Sequence, residues 1–126
     1  MLLVKTKIAP SNIHGVGLVA DQFIPKDTVI WVHNDAIDRV YLKQGLDFLP
    51  AQARETILLY GWREGIYYVY PGDNARFTNY SSDPNCGPGV DGTSVALRDI
   101  IPGEEIVEDY GLFDDDFALY AHELTI

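Results

Sequence analysis

Cysteine, basic residues and long apolar runs are all scarce in this chain, and each scarcity excludes a class of protein. Cys86 is the only cysteine among 126 residues, which excludes an internal disulfide and a cysteine-based zinc cluster. No apolar run approaches the roughly 20 residues that a membrane-spanning helix requires. Lys and Arg number 9 against 19 Asp and Glu, which gives a net charge of −10. Because affinity for nucleic acid comes from Lys and Arg, this balance argues against a nucleic-acid partner and favours basic partners.

The first residues also lack the charged head and long apolar stretch of a secretion signal. We therefore expect a cytoplasmic protein, or a nuclear one if it acts in a eukaryotic cell or is delivered to a host. The composition, with 47% apolar and 22% charged residues, is that of an ordinary globular protein. At this length we expect one domain over residues 1–126, with a core that needs no metal.

Short runs of β-branched and aromatic residues, separated by Gly and Pro, predict a mostly β chain. The expected strands are 16–20, 28–33, 66–70, 93–98 and 105–108. One helix is predicted near residues 50–60, because Pro50 suits a first helical turn and Gly61 suits the position after its end. Two similar segments carry Ile24-Pro25 and Ile101-Pro102. They indicate either two related hairpins around a central site or only the common pattern of hairpins.

Three segments concentrate residues that could bind a ligand. His14-Gly15-Val16-Gly17 sets two glycines beside a predicted strand, where the backbone can approach a ligand closely. The long polar loop 72–86 offers Asn amides that can read a purine edge and aromatic rings that can stack on it. A loop that only caps its own backbone is the alternative. Segment 103–111 sets Tyr110 between an acid and a glycine, although a strand-end aromatic is also typical of such a position.

In this order, the three segments resemble motifs of the SET-domain protein lysine methyltransferases, in the minimal form without pre-SET and post-SET cysteine modules. Residues 14–17 are similar to the early Gly-x-Gly of the family. Residues 76–85 are similar to Arg-Phe-x-Asn-His-Ser-Cys-x-Pro-Asn, and residues 103–111 to Gly-Glu-Glu-Leu-x-x-Asp-Tyr-Gly. The resemblance implies a β-clip-like SET fold, with several small curved sheets around a C-terminal pseudoknot that brings Tyr110 near the 76–85 loop.

The resemblance also implies an activity and a site. The implied activity is methyl transfer from S-adenosylmethionine to a lysine side chain in a basic protein or peptide, histone-like or other, with no metal, nucleic-acid or membrane partner. Tyr110 is the expected catalytic residue, which orients the lysine amine. The expected cofactor-binding residues are His14, Gly15, Val16, Gly17, Arg76, Phe77, Asn79, Tyr80, Tyr110 and Phe113. The expected substrate channel consists of His33, Tyr68, Tyr70 and Tyr110.

Departures from the family pattern leave alternatives open. Tyr80 stands where the family usually has His, and Ser82 where it often has Cys. A catalytically weak or inactive SET-like module that binds cofactor or peptide is therefore a second interpretation, and a small β-rich interaction domain is a third. A homodimer that completes the peptide groove is also left open.

The C-terminal residues carry two further expectations. Phe113, Phe117 and Tyr120 are expected to close over adenine in place of the absent post-SET cysteines. The acids at 114–116, with those at 104–109, are expected to form a rim that docks a basic substrate. Because acids beside the target amine would raise its pKa, we expect them at the rim of the groove rather than at its inner end.

Overall fold

Three small β-sheets, rather than one continuous layer, form the framework of this chain. The computed structural model of the protein describes residues 1–124. The strands are β1 (Thr6–Pro10), β2 (Val16–Ala20), β3 (Val29–Trp31), β4 (Arg39–Leu42), β5 (Trp62–Glu64), β6 (Tyr67–Tyr70), β7 (Asn79–Tyr80), β8 (Cys86–Pro88), β9 (Ser94–Ala96) and β10 (Val107–Glu108). The helices are α1 (Ala51–Tyr60) and α2 (Phe117–Tyr120), with 3-10 turns at Lys43–Phe48, Asn74–Phe77, Val90–Gly92, Tyr110–Leu112 and Ala121–Glu123. No helix within residues 1–124 has the length and apolar character needed to cross a bilayer.

The sheets differ in how far apart along the chain their strands lie. The first sheet is the antiparallel pair β1–β2, and the third has the order β4-β6-β5. The second sheet has five strands in the order β3-β9-β8-β10-β7, so it joins segments from both halves of the chain. This mostly β architecture confirms the predicted SET-like fold.

The five-stranded sheet contains the predicted pseudoknot. Strand β10 lies between β7 and β8 and runs parallel to both, so the C-terminal segment is inserted between the two ends of an earlier loop. Asn85, at the end of that loop, is 1% exposed. Its Oδ1 accepts the Val107 N–H at 2.9 Å, and its Nδ2 donates to the Glu105 carbonyl at 2.8 Å. The side-chain amide thus takes the place of a neighbouring strand for the segment that leads to Tyr110.

The main core lies under the five-stranded sheet and β2. Its buried members are Leu18, Ala20, Ile24, Ile30, Cys86, Ala96, Ile100 and Ile106. Ile24 and Ile100 exchange both backbone hydrogen bonds at 2.8 Å. The two similar Ile-Pro segments therefore pair with each other, antiparallel, at the centre of the core.

The predicted helix is confirmed as α1, which follows Pro50 and ends before Gly61. The reason for the glycine differs from the expected one, because Gly61 is extended, with a φ of −94°, rather than left-handed. A Cβ there would lie 2.6 Å from the Val69 carbonyl oxygen, so glycine is required by close packing against β6. Ile57 of α1 packs with Leu46 and Tyr68 in a second, smaller core.

Candidate active site

A cleft of about 970 Å³ is lined by residues from the start of β2, the five-stranded sheet, the end of α1, the 75–80 segment and the C-terminal segment. The expected cofactor-binding residues in its lining are His14, Gly15, Val16, Arg76, Phe77, Asn79, Tyr80, Tyr110 and Phe113. Three segments that are distant in the sequence therefore meet at one cleft. Its volume is within the usual range of about 300–1,000 Å³ for ligand sites.

Asn79 joins the early glycine segment to the C-terminal motif. Its Nδ2 lies 3.1 Å from the carbonyl oxygens of both His14 and Val16. The same Nδ2 lies 2.9 Å from the Glu105 carboxylate and 3.2 Å from the Ser11 hydroxyl. Its two N–H groups are thus occupied by internal acceptors, whereas its Oδ1 accepts no hydrogen bond within residues 1–124.

The two glycines of the first motif have different roles. Gly15 has a φ of +48° and open space where a Cβ would lie, so the left-handed backbone, and not the lack of room, favours glycine there. At Gly17 a Cβ would lie 2.5 Å from Glu105 Oε2. The other oxygen of Glu105 accepts a hydrogen bond from the Ser11 hydroxyl at 2.7 Å. Gly17 therefore makes room for Glu105 and does not line the cleft itself.

Tyr110 lies just beyond β10, and its hydroxyl is turned back into the molecule. The hydroxyl donates to the Thr78 carbonyl oxygen. The ring contacts Tyr80 edge to face, with centroids 5.4 Å apart, and Phe113 with centroids 5.9 Å apart. Burial raises the pKa of Tyr110 above its ordinary value, and the charge of Glu108 raises it further. The hydroxyl therefore stays protonated at neutral pH and acts as a hydrogen-bond donor rather than as a base.

Tyr80, at the position of the usual family His, is part of an aromatic stack. It lies parallel to Phe117, with centroids 5.7 Å apart and an interplanar angle of 15°. Phe117 in turn contacts Tyr120 edge to face at 5.7 Å. Of the three aromatics expected to close over adenine, Phe113 and Tyr120 line the cleft, while Phe117 supports Tyr80 from outside the lining.

The expected channel residues other than Tyr110 lie outside the cleft lining. His33 Nε2 pairs with the Asp35 carboxylate at 2.8 Å. Tyr68 is 7% exposed and packs, with Tyr70 beside it, in the second core. Burial and a hydrogen bond to Asp116 raise the pKa of Tyr68 to about 12. The structure therefore does not bring His33, Tyr68 and Tyr70 together with Tyr110.

Two tryptophans that the sequence motifs did not single out line the cleft instead. Trp31 contacts Trp62 edge to face at 5.6 Å, and Trp62 contacts Phe113 in the same way at 5.5 Å. Together with Phe113 and Tyr110 they form a continuous row of rings. Trp31 is 6% exposed, and its indole N–H has no hydrogen-bond partner in the described part of the chain. The motifs carry no signal for these residues, because Trp31 lies in an apolar strand and Trp62 in a short segment outside all three motifs.

The acids at 114–116 attach the C-terminal segment to the β5–β6 hairpin. Asp116 accepts hydrogen bonds of 2.5 Å from both the Arg63 guanidinium and the Tyr68 hydroxyl. Burial alone would raise the pKa of Asp116, but these two donors outweigh it and hold that pKa below its usual value. Asp115 accepts from the Gly65 N–H at 2.7 Å, and Asp114 from the Arg63 N–H at 3.1 Å. These carboxylates are thus held by hydrogen bonds within the chain, and Asp114 and Asp115 also line the cleft. Their expected role as a docking rim stays a prediction.

Comparison with known proteins agrees with this geometry. The family model described as the SET domain matches residues 15–111, which include all or part of each of the three motifs. The chain belongs to the SET-domain family. A search of curated proteins finds no match to it.

A solved structure shares the fold of this SET domain. It is the crystal structure of a candidate histone methyltransferase from Plasmodium falciparum, with a TM-score of 0.63 and 19% sequence identity. The alignment covers 87% of this chain and 96% of the other. At this identity the likeness shows a shared fold and nothing further. The shared fold extends over most of both chains.

Proposed function

We propose that this SET domain is a protein lysine methyltransferase that uses S-adenosylmethionine. The observation that carries the proposal is the meeting of the three motifs at one cleft, where almost all of the expected cofactor-binding residues lie beside Tyr110. The family assignment supports the same activity.

The chemistry of the lining fits this cofactor. Its rings offer faces for adenine and for a sulfonium, which aromatic rings attract. Asn79 Oδ1 and the indole N–H of Trp31 are an acceptor and a donor without partners in residues 1–124. The residues that would hold the cofactor are therefore Asn79, Trp31, Phe113 and the backbone at 14–16. When bound, S-adenosylmethionine supplies an electrophilic methyl group.

The residues of the chain must then present a neutral, correctly placed amine. A lysine has an ordinary pKa of about 10.4, so deprotonation near pH 7.4 costs about 4 kcal/mol. The aromatic row excludes water and so lowers the pKa of an entering ammonium. Tyr110, whose O–H is donated to the Thr78 carbonyl, offers its hydroxyl oxygen as an acceptor that orients the amine. Placing two reactants in line contributes roughly 7–11 kcal/mol, which exceeds the deprotonation cost.

For the substrate we propose a basic protein or peptide with an accessible lysine. The net charge of −10 supports this choice, because opposite charges steer association. The histone methyltransferase named above shares only the fold, so histones belong in the test as one class among other basic proteins.

The test is incubation of the protein with isotope-labelled S-adenosylmethionine and a mixture of histones and other basic proteins, followed by mass spectrometry. We expect labelled methyllysine from the wild type. Tyr110→Phe should lower the rate by about 100-fold or more, since one hydrogen-bonding group at a reacting centre contributes that much, while calorimetry shows unchanged cofactor binding. Tyr67→Phe, on an exposed tyrosine of β6, is the matched control. Cofactor binding without transfer would make the protein a binding module, and no cofactor binding would reject both interpretations.

A further inference from the structure

One face of the five-stranded sheet forms the floor of the cleft. The register pairs Trp31 with Ser94 and Ser94 with Pro88, and it pairs Glu108 with both Cys86 and Tyr80. Residues that pair directly across strands project from the same face, as do residues two apart in one strand. All of these side chains also line the cleft: Trp31, Ser94, Pro88, Cys86, Glu108 and Tyr80.

Glu108, one of the acids expected at the rim of the groove, lies on this floor instead, on β10 between β8 and the edge strand β7. It is the only carboxyl among the six floor side chains. The Cys86 thiol donates to its Oε1 at 3.2 Å. Within residues 1–124 no Lys, Arg or His forms an ion pair with Glu108. Burying a carboxylate without a cation is unfavourable, so a cation from outside the chain would explain its place.

Glu108 and Tyr110 are directed toward the same side. The backbone between them is extended, with Asp109 at φ −89° and ψ 106°, so residues 108 and 110 project alike. Both line the cleft. A ligand amine that reaches the Tyr110 hydroxyl therefore also comes close to the carboxyl of Glu108.

We propose that Glu108 binds the ammonium group of the substrate lysine and accepts its proton before methyl transfer; this inference rests on the proposed function. In this step an N–H bond of the ammonium breaks and an O–H bond forms on Glu108, while the electron pair stays on nitrogen. The products are a neutral amine, which is the nucleophile, and a neutral carboxylic acid. After the product leaves, Glu108 releases the proton to water in the cleft.

Two pKa shifts of opposite sign bring the pKa of the lysine ammonium closer to that of the Glu108 carboxyl. In water a lysine ammonium and a glutamic acid differ by about six pKa units, with the carboxyl far the stronger acid. Burial raises the pKa of Glu108, against the opposing hydrogen bonds of Cys86 and Ser94. The same dry surroundings lower the pKa of the ammonium. Both shifts favour the neutral pair, whereas the attraction between the ammonium and the carboxylate favours the ion pair. The two desolvation effects must therefore outweigh this attraction.

The titratable groups around Glu108 do not compete with it for the proton of the lysine. The titratable side chains that face it are Cys86 from β8, Tyr80 from β7 and Tyr110 beyond β10, while β9 contributes Ser94. Burial raises the pKa of the Cys86 thiol and that of the Tyr110 hydroxyl, so both remain protonated at neutral pH.

The first measurement is binding without cofactor. An Arg- and Ala-based peptide with one central lysine is compared with its twin that carries norleucine, which has a similar length and no charge. We expect the wild type to prefer the lysine peptide and Glu108→Gln to lose the preference. Glu55→Gln, on the exposed face of α1, should retain it. Equal binding of both peptides by the wild type, or an unchanged preference in Glu108→Gln, would overturn the proposal.

The second measurement is the single-turnover rate against pH, on a substrate that the mass spectrometry identifies. Glu108→Gln should lower the rate at pH 7 by about 100-fold or more, as expected for the loss of a general base. The rate of the variant should then rise about tenfold per pH unit, because the amine must lose its proton to water. A uniform loss at every pH would mark a structural role and contradict the proposal. Glu108→Asp, which keeps the carboxyl, should keep the wild-type profile and answers the same question if the Gln variant does not fold.

The two measurements separate the two hypotheses. A wild type that prefers the lysine peptide but transfers no methyl group would retain Glu108 as an ammonium site and reject the proposed enzyme. A wild type that transfers methyl groups, with a pH profile unchanged in Glu108→Gln, would retain the enzyme and reject the role of Glu108.

Discussion

At the scale of single residues, Asn85 shows how one side chain can take the place of a strand. Its amide satisfies the N–H of Val107 and the carbonyl of Glu105, both next to β10. A buried backbone group left without a partner costs roughly 1–3 kcal/mol. We therefore expect Asn85→Ala to lower the free energy of unfolding by about 2–4 kcal/mol, measured by urea titration.

The exposed Asn12 offers a matched control for this prediction. Asn12→Ala should change the free energy of unfolding by less than about 0.5 kcal/mol, as most surface substitutions do. Equal effects of the two substitutions would show that the bonds of Asn85 do not hold the pseudoknot together.

The tyrosines of β6 show what could and could not be predicted at this scale. Alternation along a strand predicts that Tyr68 and Tyr70 share a face, and both do pack on the second core. Alternation does not say which face turns toward a cleft, and here the shared face packs toward Leu46 and Ile57. The predicted residues at 14–16 and Arg76, Phe77, Asn79 and Tyr80 do line one cleft, and their positions come from the resemblance rather than from periodicity; their role in binding a cofactor stays a prediction.

At the scale of elements, the C-terminal segment depends on its attachment to the β5–β6 hairpin. Phe113 and Tyr120 line the cleft, and Asp116 fixes their segment through Arg63 and Tyr68. Asp116→Asn removes the negative charge from both contacts. We expect hydrogen exchange over residues 113–123 to speed up and the affinity for S-adenosylmethionine to fall roughly fivefold, in proportion to a partly exposed ion pair.

A spectroscopic readout locates this effect. The hydrogen bond to Asp116 is one cause of the raised pKa of Tyr68, which is about 12. Ultraviolet titration of the tyrosines in Asp116→Asn should therefore show one tyrosine whose pKa is lower than in the wild type and closer to the ordinary value near 10. Asp21→Asn, at an exposed position, should change neither the titration nor the affinity. An affinity loss without the titration shift would assign the effect to something other than this attachment.

Sequence patterns missed strands β1, β4, β5, β7 and β8, and of these β4 and β7 pair only with strands distant in the chain. All five predicted strands are present within or close to the predicted ranges, although most are shorter. Strand β7 has two residues and β8 reads Cys-Gly-Pro, so neither carries an alternating pattern. Strand β7 pairs with β10, which lies 28 residues further along the chain, whereas β8 forms a hairpin with β9 and contributes one pair, Cys86 with Glu108, to β10. Local propensity cannot report such a pairing.

At the scale of the whole molecule, carboxyls with a lowered pKa and carboxyls with a raised pKa have opposite effects on stability as pH changes. Burial alone would raise the pKa of Asp38 and of Asp116, but hydrogen bonds hold both below the usual value, so their stabilisation is present above pH about 4 and is lost as pH falls through the folded values. Burial raises the pKa of Glu108, so its contribution is complete below about 4.3 and is lost as pH rises through its folded value.

This opposition predicts a maximum in the curve of thermal midpoint against pH. Glu108→Gln removes the group whose ionisation lowers stability as pH rises. The variant should therefore lose less stability than the wild type as pH increases. The acid side of its curve should match that of the wild type, because Asp38 and Asp116 are unchanged. Curves that run parallel from pH 3 to pH 9 would contradict the assigned sign for Glu108.

The charge of −10 can attract a basic substrate most directly through the acids that line the cleft. Asp114 and Asp115 line the cleft and accept hydrogen bonds from backbone N–H groups, whereas Glu123 lines the cleft, is mostly exposed, and has the exposed His122, 3.8 Å away, as its ion-pair partner. Interactions between exposed charges are screened beyond about 10 Å at 0.1 M salt, so acids at the cleft should dominate over remote ones. We expect the association of a basic peptide to weaken as salt rises, and Glu123→Gln to reduce that dependence more than Asp21→Asn does. Equal salt dependence in both variants would mean that the charge acts as a diffuse field of the whole molecule rather than at the entrance of the cleft.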